Sequence, residues 1–301
     1  DILAQVLCIL GSAMFCQGSV VAFLSSFGQV LLVSGHYLWL NENLEGDAVV
    51  TFGEAAGKPG PWTFLSMVAG KTAVSSHDAL GQQNISLSPK KSFPDGLLHS
   101  ELVGNISAVP PFSLRLAATF GIFRGDSLLQ YWSSADVVTK PNDWFHVQDW
   151  APKAGLEITI RDPWMNNSEQ TTLDNAVKER LKLMDPGDQC KPHGGPMQDG
   201  AACVVAVIRF NGKLMGGDLK VETFAADGAK LNTTQSQTGV TILKVPYDKT
   251  AAFTPVWARV NYHEKVAGTY DGKKYTFIDH WATTYARIAR TAKQGDGLVV
   301  V

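Results

Sequence analysis

Short runs of β-branched and aromatic residues, broken by turn dipeptides, dominate the sequence from residue 203 to residue 288. Asn211-Gly212 and Asp271-Gly272 each stand between two such runs, and Asn-Gly and Asp-Gly are strong hairpin signals. A parallel α/β sheet would need a helix between successive strands, and no helical pattern separates these runs. The sequence therefore predicts an all-β, two-part β-sandwich protein with an Ig-like C-terminal domain.

The same reasoning places strands along most of the chain and one amphipathic helix between them. Leu173–Met184 has apolar residues at helical spacing, and Asp185-Pro186-Gly187 ends the pattern. The predicted strands are Ala48–Phe52, Leu114–Ile122, Ser127–Ser133, Leu156–Ile160, Cys203–Phe210, Leu219–Phe224, Val240–Val245, Val256–Tyr262, Val266–Tyr270 and Lys273–Ile278. Domain boundaries follow from this order: a leader at 1–35, an N-terminal β domain at 36–155, a connecting strand, helix and loop at 156–202, the Ig-like β-sandwich at 203–290, and a tail at 291–301.

The N-terminal segment predicts export. Ile2–Val33 contains no charged residue, and Gly35, with Val33 two positions before it, suits signal-peptidase cleavage before His36; cleavage after Gly18 or Ala22 stays open. The stretch is also long enough to span a bilayer, so an uncleaved anchor stays open as the alternative. We expect a periplasmic, secreted or lumenal protein that contacts a membrane only through residues 1–35, and only if the leader is retained.

Charge argues against one class of partner, and the cysteines indicate either a disulfide or a zinc site. A net charge of −2 gives no basic footprint for nucleic acid, so we expect no nucleic-acid partner. The common catalytic motifs are absent from the sequence. Cys190 and Cys203 fit a disulfide in an oxidising compartment, while Cys190, His193 and Cys203 could alternatively contribute to a zinc site.

Histidine supplies the main candidate chemistry. Cleavage before His36 would leave an α-amine beside its imidazole, and these two nitrogens can chelate one metal ion. His263 and His280 flank the Asp271-Gly272 hairpin and could complete a site, with Glu264 as a ligand or as a group that orients an imidazole. Nitrogen-rich sites suit Cu(II), Ni(II) or Zn(II). The alternative is that His263 and His280 are ordinary sheet residues. Three other histidines are predicted to be solvated: His77, His99 and His146.

Several motifs resemble a bacterial periplasmic family. They are Ser34-Gly35-His36-Tyr37-Leu38-Trp39-Leu40, Phe210-Asn211-Gly212-Lys213-Leu214, Tyr262-His263-Glu264 and His280-Trp281-Ala282-Thr283-Thr284. The family is catalogued as a domain of unknown function and is often labelled, by genomic analogy, as a periplasmic component of nickel/cobalt uptake. The resemblance implies a periplasmic location and a metal-handling role.

Three functions follow as expectations. The first is an exported protein that captures or delivers a divalent transition metal (Ni, Co, Cu or Zn) through His36, His263, His280 and Glu264, with a membrane transporter as a further partner. The second is a metalloenzyme with a His-ligated zinc or copper centre. The third is a non-metal Ig-like binding or adhesion module, for which three tryptophans in loop-like sequence could stack on sugars: Trp144, Trp150 and Trp164.

Overall fold

The computed structural model describes residues 36–92, 99–123, 125–137, 154–161, 201–246 and 253–289. The chain divides into two compact units, residues 1–36 and residues 37–301. The described residues of the second unit form four β-sheets and one helix, α1 (Trp62–Ala69). Within the described ranges, no helix is both long and apolar enough to cross a membrane.

The first sheet contains the strand that begins the second unit. Its strands lie in the order β1-β2-β7-β3, and β6 also pairs with β7. Their bounds are Tyr37–Glu42 (β1), Asp47–Gly53 (β2), Gly60–Pro61 (β3), Ser88–Ser92 (β6) and His99–Asn105 (β7). Helix α1 follows Pro61 directly and buries Leu65 and Val68. Pro61 is the N-cap residue, and its extended backbone, with φ of −56° and ψ of 133°, places the start of the helix at Trp62.

The central sheet has eight strands, in the order β14-β13-β16-β19-β9-β8-β4-β5. Their bounds are Thr72–Asp78 (β4), Gly81–Ile85 (β5), Phe112–Phe123 (β8), Ser127–Val137 (β9), Leu219–Phe224 (β13), Lys230–Ser236 (β14), Phe253–Glu264 (β16) and Phe277–Ala289 (β19). Strands β9 and β19 pair in parallel, and the other neighbours pair antiparallel. This parallel pair joins the earlier half of the chain to the later half.

The third sheet and a short ribbon complete the described strands. In the third sheet the order is β10-β11-β12, and β15 also pairs with β11. Its strands are Leu156–Arg161 (β10), Ala201–Phe210 (β11), Lys213–Leu214 (β12) and Val240–Pro246 (β15). The ribbon consists of β17 (Gly268–Tyr270) and β18 (Lys273–Tyr275).

The central sheet is covered on both faces, because its side chains alternate between two cores. On β16, Trp257 belongs to the core shared with the first sheet, while Val256 and Ala258 belong to the core shared with the third sheet. Trp39 of β1 is fully buried in the first core, with its ring 5.6 Å from Phe224 and 5.7 Å from Trp257. The described part of the unit is therefore a three-layer β-sandwich.

Hydrogen bonds within and between the layers satisfy some of the polar groups that this packing buries. The indole Nε1 of Trp39 donates to the Gly53 carbonyl at 3.0 Å. Between layers, the Thr283 hydroxyl donates to the Leu38 carbonyl at 2.7 Å, and the Leu40 amide donates to the Ser133 hydroxyl at 3.1 Å. These bonds fix β1 against the β9–β19 pair.

A carboxylate on the central sheet is held by three cations. Glu222 is paired with Arg259 at 2.7 Å, with Lys220 at 3.2 Å and with Lys230. Burial alone would raise the pKa of the Glu222 carboxyl, but hydrogen bonds from Lys230 and Arg259 outweigh it and bring the pKa to about 2. Glu222 therefore stays ionised through the neutral and mildly acidic range.

The structure confirms the all-β fold and the placement of many strands. Predicted strands coincide with β2, β8, β9, β10, β11, β13, β15 and β16. Asn211 and Asp271 have φ of 50° and 52°, as hairpin turns of the Asn-Gly and Asp-Gly type require. Strands from the predicted N-terminal and Ig-like domains share the central sheet, so both belong to one compact unit. The Ig-like assignment stays a prediction.

Some expectations concern residues beyond the described ranges. They are the leader at 1–35, the helix Leu173–Met184, Cys190, His193, His146, the tail at 291–301, and Trp144, Trp150 and Trp164. Cys203 lies in β11 and His99 lies in β7. The disulfide, the alternative zinc site and the tryptophan platform stay predictions.

Candidate functional site

His263 and His280 lie on neighbouring strands but on opposite faces of the central sheet. In the β16–β19 register Tyr262 stands opposite His280, and His263 stands opposite Asp279. Side chains of successive strand residues point to opposite faces, so His263 and His280 are directed apart. One metal ion bonded to both imidazoles does not fit this arrangement.

Both ring nitrogens of His280 already have partners. The imidazole is 3% exposed. The indole Nε1 of Trp132 donates to Nδ1 at 3.3 Å, and Nε2 lies 3.1 Å from Oε2 of Glu264. Since an indole N–H only donates, Nδ1 must accept, and the ring proton belongs on Nε2. Burial lowers the pKa of His280, while Glu264 opposes that shift, so the ring is neutral at neutral pH.

His263 forms a separate and more exposed pair. Its Nδ1 lies 2.5 Å from Oδ1 of Asp279, and its ring stacks on Phe277 with centroids 4.6 Å apart. The side chain is 54% exposed. An exposed histidine–carboxylate pair of this kind supplies ligands from two residues only.

The predicted metal ligands therefore come together only in part. The structure brings Glu264 and His280 into contact and places His263 on the other face. His36 precedes β1 and belongs to the first unit. Within the described ranges, no three His, Cys, Asp or Glu side chains are grouped so that they could hold a metal ion.

His77 is a histidine whose environment the sequence did not reveal. It was expected to be solvated, but it lies in β4 and is 8% exposed. Its Nε2 lies 2.8 Å from the Ser75 hydroxyl. Burial, assisted by the positive charge of Arg115, lowers the pKa of His77. The expectation was wrong because the polar sequence around His77 does not show the apolar alternation typical of a buried strand.

His77 belongs to a set of polar rows that cross the central sheet. The registers of β4, β5, β8 and β9 align Asn84, Ser75, Arg115 and Ser134 in one row, and Gln82, His77, Ser113 and Asp136 in the next. The same face carries apolar side chains on β16 and β19, where the third sheet covers it. In the described part of the third sheet β10 is an edge strand, so the polar rows emerge beside that edge.

A pocket of about 240 Å³ occupies this position. One wall comes from the central sheet and includes Ser75, His77 and Arg115. The opposite wall comes from β10 and includes Leu156 and Glu157. Because hydrogen-bonded strands supply both walls, the pocket is preformed rather than assembled from loops.

Arg115 is the buried charge at the centre of the pocket's polar lining. Its Nη1 donates to Oδ1 of Asp136 at 2.6 Å and to the Leu114 carbonyl at 2.9 Å. Its Nη2 lies 3.4 Å from Oε1 of Glu157. Burial would lower the pKa of Arg115, but the charges of Asp136 and Glu157 outweigh it and raise the pKa. The guanidinium is therefore charged, and its side chain is 7% exposed.

Within the described residues, three polar atoms of this cluster make no hydrogen bond, although two of them belong to the Arg115–Glu157 ion pair. They are Nε and Nη2 of Arg115 and Oε1 of Glu157, none of which has a hydrogen-bond partner among the described residues. Nε and Nη2 form one edge of the planar guanidinium and direct their N–H bonds in parallel. Burying such atoms unpaired is costly, so a partner that arrives with a bound molecule would stabilise them.

Trp132 forms another wall and links the pocket to His280. Gly155, just before β10, lies against its indole ring: a Cβ at Gly155 would come within 2.4 Å of the Trp132 ring atoms Cε2 and Cζ2. Gly155 also has φ of +78°, a conformation that favours glycine. The Ser134 hydroxyl donates to the Ile158 carbonyl at 3.0 Å and holds β10 beside the pocket.

Sequence reasoning missed the pocket, although one signal for it was present. Arg115 interrupts the otherwise apolar and small run Phe112–Phe123, and Glu157 interrupts Leu156–Ile160. A charged residue at an inward position of a strand requires a buried partner. The pairing of the two could not be read locally, since it depends on where β10 packs.

No protein-family model matches the chain, and a search of the curated proteins finds no match. The resemblance to the periplasmic family stays a prediction.

Proposed function

We propose that this protein is a binding module for a small polar molecule held between β10 and the central sheet. The observation that carries the proposal is the buried Arg115–Glu157 ion pair in the pocket lining, in which Nε and Nη2 of Arg115 and Oε1 of Glu157 make no hydrogen bond within the described residues. This proposal corresponds to the non-metal binding alternative drawn from the sequence. It moves the site from the tryptophan-bearing loops to the strands of the sandwich.

The size and lining of the pocket support a small ligand. Pockets for drug-sized molecules measure roughly 300–1,000 Å³, so about 240 Å³ suits a smaller compound. Apolar side chains of Ala117 and Trp132 lie beside the polar ones. Such a mixture gives apolar contact area together with a few polar groups that fix orientation.

The test is a ligand-observed NMR screen of small polar compounds against the full chain and a variant with a filled pocket. Ala117 is half-buried on the pocket wall, so Ala117→Leu should fill part of the cavity. Ala226→Leu adds the same atoms at an exposed turn and serves as the matched control. We expect hits that bind the unmodified chain and Ala226→Leu but not Ala117→Leu. The absence of any hit, or binding unaffected by Ala117→Leu, would refute the proposal.

We also propose, as the second candidate, export and capture of Ni, Co, Cu or Zn with delivery to a membrane transporter. The supporting observation is the contact between Glu264 and His280. A metal on Nε2 of His280 would displace the ring hydrogen to Nδ1, and this would cost the Trp132 bond because Nδ1 could then no longer accept it. Metal analysis of the unmodified chain and of Glu264→Gln and His280→Gln tests this candidate. Unchanged metal content in both variants would remove the pair from any site.

A further inference from the structure

We infer that the ligand of this pocket is a polyhydroxylated compound, a single sugar ring or a cyclitol, bound through adjacent hydroxyl groups to Arg115 and Glu157. The inference rests on the proposed binding function and names its ligand class. It follows from the charge of the cluster, from the donors and acceptors in it that make no hydrogen bond, and from the walls around it.

The charge of the cluster disfavours an anion. Arg115 contributes one positive charge, while Asp136 and Glu157 contribute two negative charges within 3.4 Å of its guanidinium. His77 adds no compensating charge at neutral pH, since burial favours its neutral form. A carboxylate or phosphate entering here would meet two carboxylates and a guanidinium that is already neutralised.

The donors and acceptors that make no hydrogen bond disfavour a simple cation as well. Arg115 offers two donor nitrogens, Nε and Nη2, and Glu157 offers one acceptor oxygen. An ammonium group has donors but no acceptor, so it would leave both Arg115 donors unpaired. A carboxylate accepts but cannot donate to Glu157. A hydroxyl group donates one hydrogen bond and accepts others, so two neighbouring hydroxyls can satisfy all three atoms.

The remaining lining fits the rest of such a ring. Asn84, Gln82 and Ser75 add side chains that can both donate and accept hydrogen bonds. Trp132 and Ala117 supply apolar surface against which the C–H groups of a sugar ring can pack. The volume of about 240 Å³ leaves room for one ring rather than for a chain of them.

The ligand class is tested on the unmodified full chain, which avoids any question of variant folding. Saturation-transfer NMR would compare D-glucose, D-galactose, D-mannose and myo-inositol with acetate, inorganic phosphate and methylammonium. Fully O-methylated inositol is the matched control, because it keeps the ring and its acceptor oxygens but has lost every hydroxyl donor. We expect at least one free polyol to bind and the O-methylated compound not to bind.

A variant then tests the role of the carboxylate. Glu157→Gln keeps the size of the side chain and removes its charge, and we expect it to weaken polyol binding by about tenfold or more, since hydrogen bonds to charged groups are the stronger ones. Ala226→Leu should bind as the unmodified chain does. Circular dichroism would establish that Glu157→Gln is folded before its affinity is compared.

The outcomes distinguish failure of the polyol ligand class from failure of the proposed binding function. Binding of acetate, phosphate or methylammonium that Ala117→Leu abolishes, without binding of any polyol, would refute the ligand class and leave the pocket as a binding site. Equal binding of free and O-methylated inositol would also refute it, because the donor to Glu157 would then be unnecessary. Failure of every compound to bind would overturn both.

Discussion

Replacing Asp136 by asparagine tests the buried ion pair that underlies the pocket. Asp136 is 4% exposed at its side chain and accepts hydrogen bonds from Arg115 at 2.6 Å and from Ser113 at 2.9 Å. Removing one partner of a buried pair typically costs about 3–5 kcal/mol, because the other charge stays buried without compensation. Glu157 lies 3.4 Å from the same guanidinium and still offsets part of that charge. We therefore expect Asp136→Asn to lower the free energy of unfolding by about 3 kcal/mol.

Urea and thermal unfolding, followed by circular dichroism, would measure this loss. For a unit of this size about 3 kcal/mol corresponds to a fall in Tm of about 6–12 °C. Asp218→Asn is the matched control, since Asp218 is exposed in the turn before β13 and should change stability by less than about 0.5 kcal/mol. If Asp136→Asn is as stable as Asp218→Asn, the Arg115 cluster does not hold the sandwich together as argued.

Three further predictions concern other parts of the sandwich. The pKa of Glu222 is about 2 in the folded chain, below its ordinary 4.5. The ionised carboxylate therefore contributes its full stabilisation above pH 4.5, and this contribution is lost as pH falls towards 2. Glu222→Gln should reduce the fall in unfolding free energy between pH 4.5 and pH 2, as acid unfolding curves would measure. Gly155→Ala should lower Tm more than Gly272→Ala. Both glycines have positive φ, but a Cβ at Gly155 would meet the Trp132 indole, whereas a Cβ at Gly272 would meet no atom within 4 Å. Equal falls in Tm would contradict the contact with Trp132. Trp39→Ala should cost about 3–5 kcal/mol in urea unfolding, and a loss below about 1 kcal/mol would argue against its burial.

Local sequence patterns predicted the strands that carry clear turn chemistry or apolar alternation. The Asn211-Gly212 and Asp271-Gly272 turns are examples, because positive φ at both positions leaves few residue choices. Other strands were missed for a physical reason: Gly81–Ile85 is a polar edge strand, exposed at four of its five residues. Helix α1 was also missed, since the loop signals that end at Pro61 also serve as a helix start.

The candidate site shows which information a single sequence lacks. The sequence alone indicated that His263 and His280 flank a hairpin and that Glu264 could contact an imidazole. Whether two residues on paired strands share a face depends on register, and a slip of one residue reverses the answer. The pocket depends on the packing of β10 against β9, β16 and β19 of the central sheet, which brings together residues far apart in sequence and which no local pattern contains.

The position of β19 has a consequence for how this chain can fold during synthesis. β19 lies between β9, about 150 residues earlier, and β16, so the central sheet closes only after Phe277–Ala289 has left the ribosome. Until then β9 presents an open edge with unpaired backbone groups, which is a template for pairing with another chain. Pairings between residues so distant in sequence form slowly, because a long loop must be closed first. A nascent chain that stalls before β19 would therefore be prone to aggregate, and folding in the cell would depend on protection of the β9 edge.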